Sequence, residues 1–229
     1  MGLMDVIDKV TNQDDKKVRT NERALLVYSE FTNTSDENMA LYTFVEKSGV
    51  ALALGLSLHY RKIKTISGKN AGSRDFVSAL AELGREPKNQ VIDVLVHMHG
   101  NPNTMHFNDT VSSDVLRDSI AKLKIGRKLR MFYTTACYGA THAQDMVQAG
   151  FTCGAGAIGV NANSASEYPE FLTRWVAQDS FVDCINKSYN ALATNLAENQ
   201  AKKMGFDDVD STKRTYGHGY INILTPVAA

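Results

Sequence analysis

Five apolar runs of strand length recur along the chain with helical patterns between them, and this alternation constrains the fold more than any other feature. The runs are residues 24–28, 63–67, 91–96, 129–135 and 154–160. Each is short for a core helix, and several are rich in β-branched or aromatic residues, which suit a pleated surface. Between them, residues 73–83 place Phe76, Val77, Leu80 and Leu83 on one face, with Gly84 and Pro87 beyond the end. Residues 112–123 repeat the pattern with Val115, Leu116, Ile120 and Leu123. Strands alternating with helices predict an α/β domain with a mainly parallel sheet, because parallel crossovers lay helices on both sheet faces. Residues 91–96 and 129–135 are the predicted central strands. A long helical stretch is predicted over 169–204 and a closing strand over 220–224, whereas 49–60 either extend a helix begun near Asp36 or start a strand.

Composition narrows the class of protein. A chain of 229 residues buries enough surface to hold one core without staples, and 25 Lys+Arg against 25 Asp+Glu leave no broad field to gather nucleic acid or anionic lipid. Three cysteines, Cys137, Cys153 and Cys184, cannot close a disulfide framework and suit a reducing compartment. Residues 1–22 are rich in Asp and Lys, lack the apolar segment of a secretory signal, and read as a polar arm ahead of a domain spanning 23–229. The most apolar run, 50–58, is far short of the roughly 20 residues a bilayer requires. The expectation is a cytoplasmic protein with no nucleic-acid or membrane partner. Its oligomeric state is open.

In a parallel sheet, ligands gather beyond the carboxyl ends of the strands. Two of those ends are chemically unusual. One strand runs into His97-Met98-His99-Gly100, and another into Ala136-Cys137-Tyr138-Gly139. As neighbours in the sheet they bring His99 and Cys137 to one rim, where an imidazole and a thiol form a nucleophile and proton-carrier pair. Thr141 and Gln144 have capping-box spacing, which predicts a helix starting just past the cysteine, its N-terminal N–H groups lowering the thiol pKa. Gly139 is expected to supply a tight turn and Gly100 a close approach of substrate to the main chain. The backbone N–H groups of Gly100 and Cys137 then form a candidate oxyanion hole.

The runs Val94-Leu95-Val96-His97-Met98-His99-Gly100 and Met131-Phe132-Tyr133-Thr134-Thr135-Ala136-Cys137-Tyr138-Gly139 resemble the caspase-like cysteine peptidases, the group that also holds metacaspases, legumains, clostripain, gingipains and separases. The alternation of strands and helices over about 23–160 is similar too. The resemblance implies a three-layer caspase-like fold with a mainly parallel central sheet flanked by helices. It implies a cysteine endopeptidase with Cys137 as nucleophile and His99 as acid/base, acting on protein or peptide through an acyl-enzyme, with no metal or organic cofactor. Several relatives carry Gln, Asp or Glu where this chain has the neutral Thr135, so a preference for Asp or Arg does not carry over. The short interval from Gly139 to Gly154 leaves no room for a long cleavable linker, which predicts activity without two-chain maturation. Asn161, Asn163, Ser164 and Glu167, after the predicted strand 154–160, join Thr135 as substrate-binding candidates, with Glu167 either selecting a basic side chain or simply solvated on an exposed loop.

Plainer readings stand beside these. Cys137 alone is compatible with a small buried hydrophobe, and His99 with a hydrogen-bonded histidine at a strand terminus. His97 and His99, two apart on a strand, share a face and with His106 or His142 form the spacing of a metal site, but this leaves the Ala-Cys-x-Gly element unexplained. His97 otherwise supports the site or faces solvent. Cys153 and Cys184 read as packing residues, and Trp175 with Phe171 and Leu172 as a core helix face or the edge of a cleft. Gly217-His218-Gly219 reads as a turn entering the last strand. The rival functions are a caspase-like interaction module without turnover and an acyl hydrolase or transferase using the same dyad.

Overall fold

The structure, a computed structural model, describes residues 17–31, 39–68 and 71–227, and for 39–46 the backbone alone. The arm expected at residues 1–22 therefore lies outside the described residues up to residue 16. Strands β1 (Arg23–Glu30), β2 (Lys62–Ser67), β3 (Val91–Asn101), β6 (Leu129–Thr134) and β7 (Cys153–Ala157) run parallel in the order β2-β1-β3-β6-β7. β8 (Lys213–Gly217) closes the sheet antiparallel to β7. A hairpin of β4 (Thr104–His106) and β5 (Thr110–Ser112) pairs with the far end of β3.

The helices are α1 (Met39–Leu54), α2 (Ser73–Arg85), α3 (Ser113–Ala121), α4 (Gly139–Gln148), α5 (Ser164–Val176), α6 (Phe181–Ser188) and α7 (Ala191–Lys203). They make three layers with the sheet. Ala24, Leu26, Tyr28, Val94 and Val96 face one core with Phe76, Leu80 and Leu83 of α2, Leu116 and Ile120 of α3, and Met146 of α4. Leu25, Val27, Leu95 and Tyr133 face the other, with Ala53 of α1, Phe171 and Trp175 of α5, and Phe181 and Cys184 of α6. The central strands are buried on both faces, which is why they read as unbroken apolar runs. Trp175, Phe171 and Phe181 are fully buried, and large side chains of this kind each contribute about 1.5–3 kcal/mol. Trp175 therefore belongs to the core and forms no cleft edge. Cys153 and Cys184 are buried packing residues, as expected.

Several elements differ from the sequence expectation. The stretch 169–204 is three helices, broken at Gln178, which adopts φ 73, and at Asn190, whose side chain caps α7 by accepting from the Ala193 N–H at 3.1 Å. The ambiguous 49–60 stretch continues α1 to Leu54 and then tightens into a 3₁₀ turn over Gly55–Leu58. The last strand is Lys213–Gly217, not 220–224. Ile221 and Ile223 are buried, but the Ile221 carbonyl accepts from the Phe181 N–H at 2.7 Å instead of joining a ladder. Gly217, at φ +73, thus leaves the final strand rather than entering it. Among the described residues no helix is long and apolar enough to cross a membrane.

Candidate active site

Pairing between β3 and β6 sets Val96 against Thr134, and the Thr135 N–H donates to the Val96 carbonyl at 3.0 Å. The residues just beyond, His97–Gly100 and Thr135–Cys137, are thereby brought together at the carboxyl edge of the sheet. β3 runs on to Asn101 because the β4–β5 hairpin supplies it with a further partner, setting His99 opposite His106. His99 is hydrogen-bonded to the Phe31 backbone, and its ring meets the Phe31 ring edge-on at 5.2 Å. Burial lowers its pKa, with the Phe31 bond and Glu30 opposing the shift.

Cys137 lies in the turn from β6 to α4. The Ala136 N–H donates to Thr134 Oγ1 at 3.1 Å, and the Tyr138 N–H to the Gly159 carbonyl at 2.8 Å. Tyr138, at φ 53, makes the left-handed turn expected of Gly139. Gly139 instead permits close packing, since a Cβ there would lie 2.7 Å from Thr134 Cγ2 and 3.2 Å from the Gly156 Cα. The helix starts at Gly139, two residues before the expected cap at Thr141, whose hydroxyl donates to the Tyr138 carbonyl at 2.9 Å and accepts from the Asn103 N–H at 2.9 Å. The capping box therefore does not form.

The glycine after His99 also has a packing reason. A Cβ on Gly100 would sit 2.6 Å from His142 Cε1 and 2.8 Å from the Cys137 carbonyl oxygen, so only glycine lets β3 lie against the β6–α4 turn. His142 is buried and donates from Nε2 to the Asn101 carbonyl at 3.0 Å.

His99, Gly100, Cys137 and Tyr138 open on one cavity of about 550 Å³ that also reaches His106, Val160 and Phe206. The Asn161 N–H donates to Cys137 Sγ at 3.4 Å, while the Asn161 carboxamide donates to the Thr135 carbonyl at 2.9 Å. Burial raises the Cys137 thiol above its ordinary value, against the pull of the Asn161 N–H, its own amide and the Lys213 charge. The expected lowering by the helix terminus is thus outweighed. Both shifts favour the uncharged forms, the neutral imidazole and the thiol.

The substrate-binding candidates separate. Thr135 and Ser164 line a second cavity, of about 170 Å³, together with Ser48, Gly49, Leu52, His97, Ala165 and Tyr168. Asn163 is buried, and its carboxamide donates to Thr194 Oγ1 at 2.7 Å, which ties α5 to α7. Glu167 is not on an exposed loop: it is buried in α5 and paired with Lys213 Nζ at 2.6 Å. His97 does not face solvent. Its Nδ1 shares a hydrogen bond with Thr135 Oγ1 at 3.1 Å, and its ring packs on Tyr168 at 4.2 Å. Among the described residues no three His, Cys, Asp or Glu side chains gather as a metal site. Sequence reasoning missed the β4–β5 hairpin and the part α1 plays in the second cavity; the turn at Pro102-Asn103, with Asn103 at φ 57, is the signal that β3 folds back into β4.

The three-layer α/β sandwich with its mainly parallel central sheet has the caspase-like class of fold. Solved structures place the chain there: caspase-1 from Spodoptera frugiperda superposes with a TM-score of 0.62, covering 94% of this chain and 94% of that chain at 11% sequence identity. At that identity the likeness is one of fold. No protein-family model matches the chain, and no curated protein matches it by sequence.

Proposed function

We propose that the chain is a cysteine endopeptidase acting through a Cys137/His99 dyad, with residues 23–229 as its peptidase domain. The observation that carries this reading is the convergence of His99, Gly100 and Cys137 on one cavity at the carboxyl edge of the sheet. A pair favoured in its uncharged forms makes His99 a general base: it takes the thiol proton as Sγ attacks the peptide carbonyl carbon. The oxyanion that develops is assigned to the backbone N–H groups of Gly100 and Cys137. Collapse breaks the C–N bond, with the proton passing from His99 to the departing amine, and leaves a thioester. Water then adds to the thioester carbon while His99 takes its proton, and the thiol is restored as the acid leaves.

The test is labelling of the native protein with peptide acyloxymethyl ketones, read by intact mass and peptide mapping. Modification confined to Cys137 and lost in His99→Ala supports the dyad. Absence of labelling by every peptide probe in a folded sample overturns it. Turnover of esters without turnover of peptides assigns the same dyad to an acyl hydrolase.

A further inference from the structure

The second cavity, lined by Thr135 and His97, shares no lining residue with the cavity on which His99 and Cys137 open. If the dyad works as proposed above, on which this inference rests, the leaving amine must lie toward His99 to receive its proton. The acyl half of the substrate is then directed away from His99, and the cavity lined by Thr135 is available to it. Thr135 lines that cavity and stands two residues before Cys137, at most about 7 Å away along the chain, within reach of the side chain next to the attacked carbonyl.

What lines the cavity limits what it accepts. Among the described residues its polar groups are Ser48, Thr135, Ser164, Tyr168 and the His97 ring, and none brings a permanent charge. Burial pushes His97 down to about 3, so the ring is neutral at physiological pH. The nearby Glu167 and Lys213 are engaged with each other at 2.6 Å, both side chains 1% exposed. A charged substrate side chain entering here finds no described counter-ion and would be desolvated without compensation.

One polar atom lacks a partner. His97 is 2% exposed, its Nδ1 is bound to Thr135 Oγ1, and its Nε2 is buried with no hydrogen bond among the described residues. A Cβ on Gly49 would lie 3.1 Å from the His97 ring, so the absence of a side chain at this position keeps α1 from crowding it. A volume of about 170 Å³ is ample for one side chain, given that an engineered cavity of about 150 Å³ admits benzene. Whether Thr135 donates to His97 or accepts from it, Nε2 is left as a donor or an acceptor accordingly, and a carboxamide carries both complements.

We infer that this cavity binds the substrate side chain on the acyl side of the cut and selects asparagine or glutamine, whose carboxamide hydrogen-bonds to His97 Nε2. An aliphatic side chain would leave that nitrogen buried and unsatisfied.

The test uses the full chain and a set of peptide acyloxymethyl ketones identical except for Asn, Gln, Leu, Asp, Arg or Lys at the reactive end, with second-order rates of Cys137 modification measured for each. The faster of the Asn and Gln probes is expected to exceed Leu by about tenfold or more, and each charged probe by about a hundredfold. In His97→Leu the ratio of the carboxamide rate to the Leu rate should fall by about tenfold or more. A charged or Leu probe that is fastest on the wild-type protein overturns the inference while the peptidase reading stands. An unchanged ratio in folded His97→Leu does the same; if that variant does not fold, the wild-type ranking decides. Alkylation of Cys137 by iodoacetamide without modification by any peptide probe overturns the peptidase reading and the inference with it.

Discussion

β3 and β6 run side by side across the sheet, and their two ends treat buried polar groups in opposite ways. At the amino end, Arg130 meets Asp93 at 2.9 and 2.5 Å, Tyr60 donates to Asp93 at 2.7 Å, and Trp175 donates to Tyr60 at 2.9 Å. The remaining Arg130 donor reaches the Ile223 and Thr225 carbonyls at 2.7 and 2.8 Å, which pins the last segment of the chain. None of these four side chains leaves a buried polar atom unmatched. At the carboxyl end, His97 Nε2 and Asn161 Oδ1 are buried without a hydrogen bond among the described residues. A closed network fixes a fold, whereas an open one at the ligand-facing edge costs stability and is retained where something else completes it.

Breaking the open end should affect chemistry most. Cys137→Ala is expected to reduce peptide turnover by at least about a thousandfold with little change in melting temperature, because the smaller side chain fits the same turn. A variant that is equally inactive and unfolded would erase the distinction between the two ends. At the closed end, Arg130→Met strands the Asp93 carboxylate and should cost about 3–5 kcal/mol in urea unfolding. Pairing it with Asp93→Leu should recover most of that loss. If the single change leaves stability intact, Arg130 is not what holds this end together.

The pH dependence sharpens the contrast. His97 has a folded pKa of about 3 against an ordinary 6.5, so between those values the unfolded chain binds a proton that the folded chain does not. Stability is accordingly full above about 6.5 and is lost as pH falls toward 3, by about 3 kcal/mol at pH 4. Thermal melts across that range should show a shallower fall for His97→Gln than for the wild type, and parallel curves would count against a buried neutral ring. Gly100→Ala forces a methyl onto His142 and the Cys137 carbonyl, with an overpacking cost of about 1–3 kcal/mol and slower labelling of Cys137. The smallest effect is expected from Cys153→Ala, about 1 kcal/mol from a core contact, with the rate of Cys137 labelling unchanged.

The five parallel strands were legible because each is a short apolar run with few alternatives. β8 was not, since Lys213-Arg214-Thr215-Tyr216-Gly217 is a polar edge strand, and the apolar residues 220–224 beyond it imitate one by packing Ile221 and Ile223 into the core without pairing. The break at Gln178 carries no glycine or proline, and the mark it does leave is Ser180, which caps α6 by accepting from the Asp183 N–H at 3.2 Å. In the site, Cys137, His99 and Gly100 stood out as chemistry-bearing residues after apolar runs. Glu167 misled because a glutamate near a predicted strand end looks exposed, and its buried partner Lys213 lies 46 residues away.

Local pattern alone determined the class of fold, the order of the parallel strands' segments and the residues that meet at the site, because apolar periodicity and strand-end residues are properties of contiguous sequence. Only the tertiary structure decided the ionisation of those residues and the shape around them. Whether the Cys137 thiol rises or falls, whether His97 meets water or Thr135, and whether Glu167 offers a charge or spends it on Lys213 all depend on desolvation and neighbours supplied by distant elements, which no local window of sequence contains.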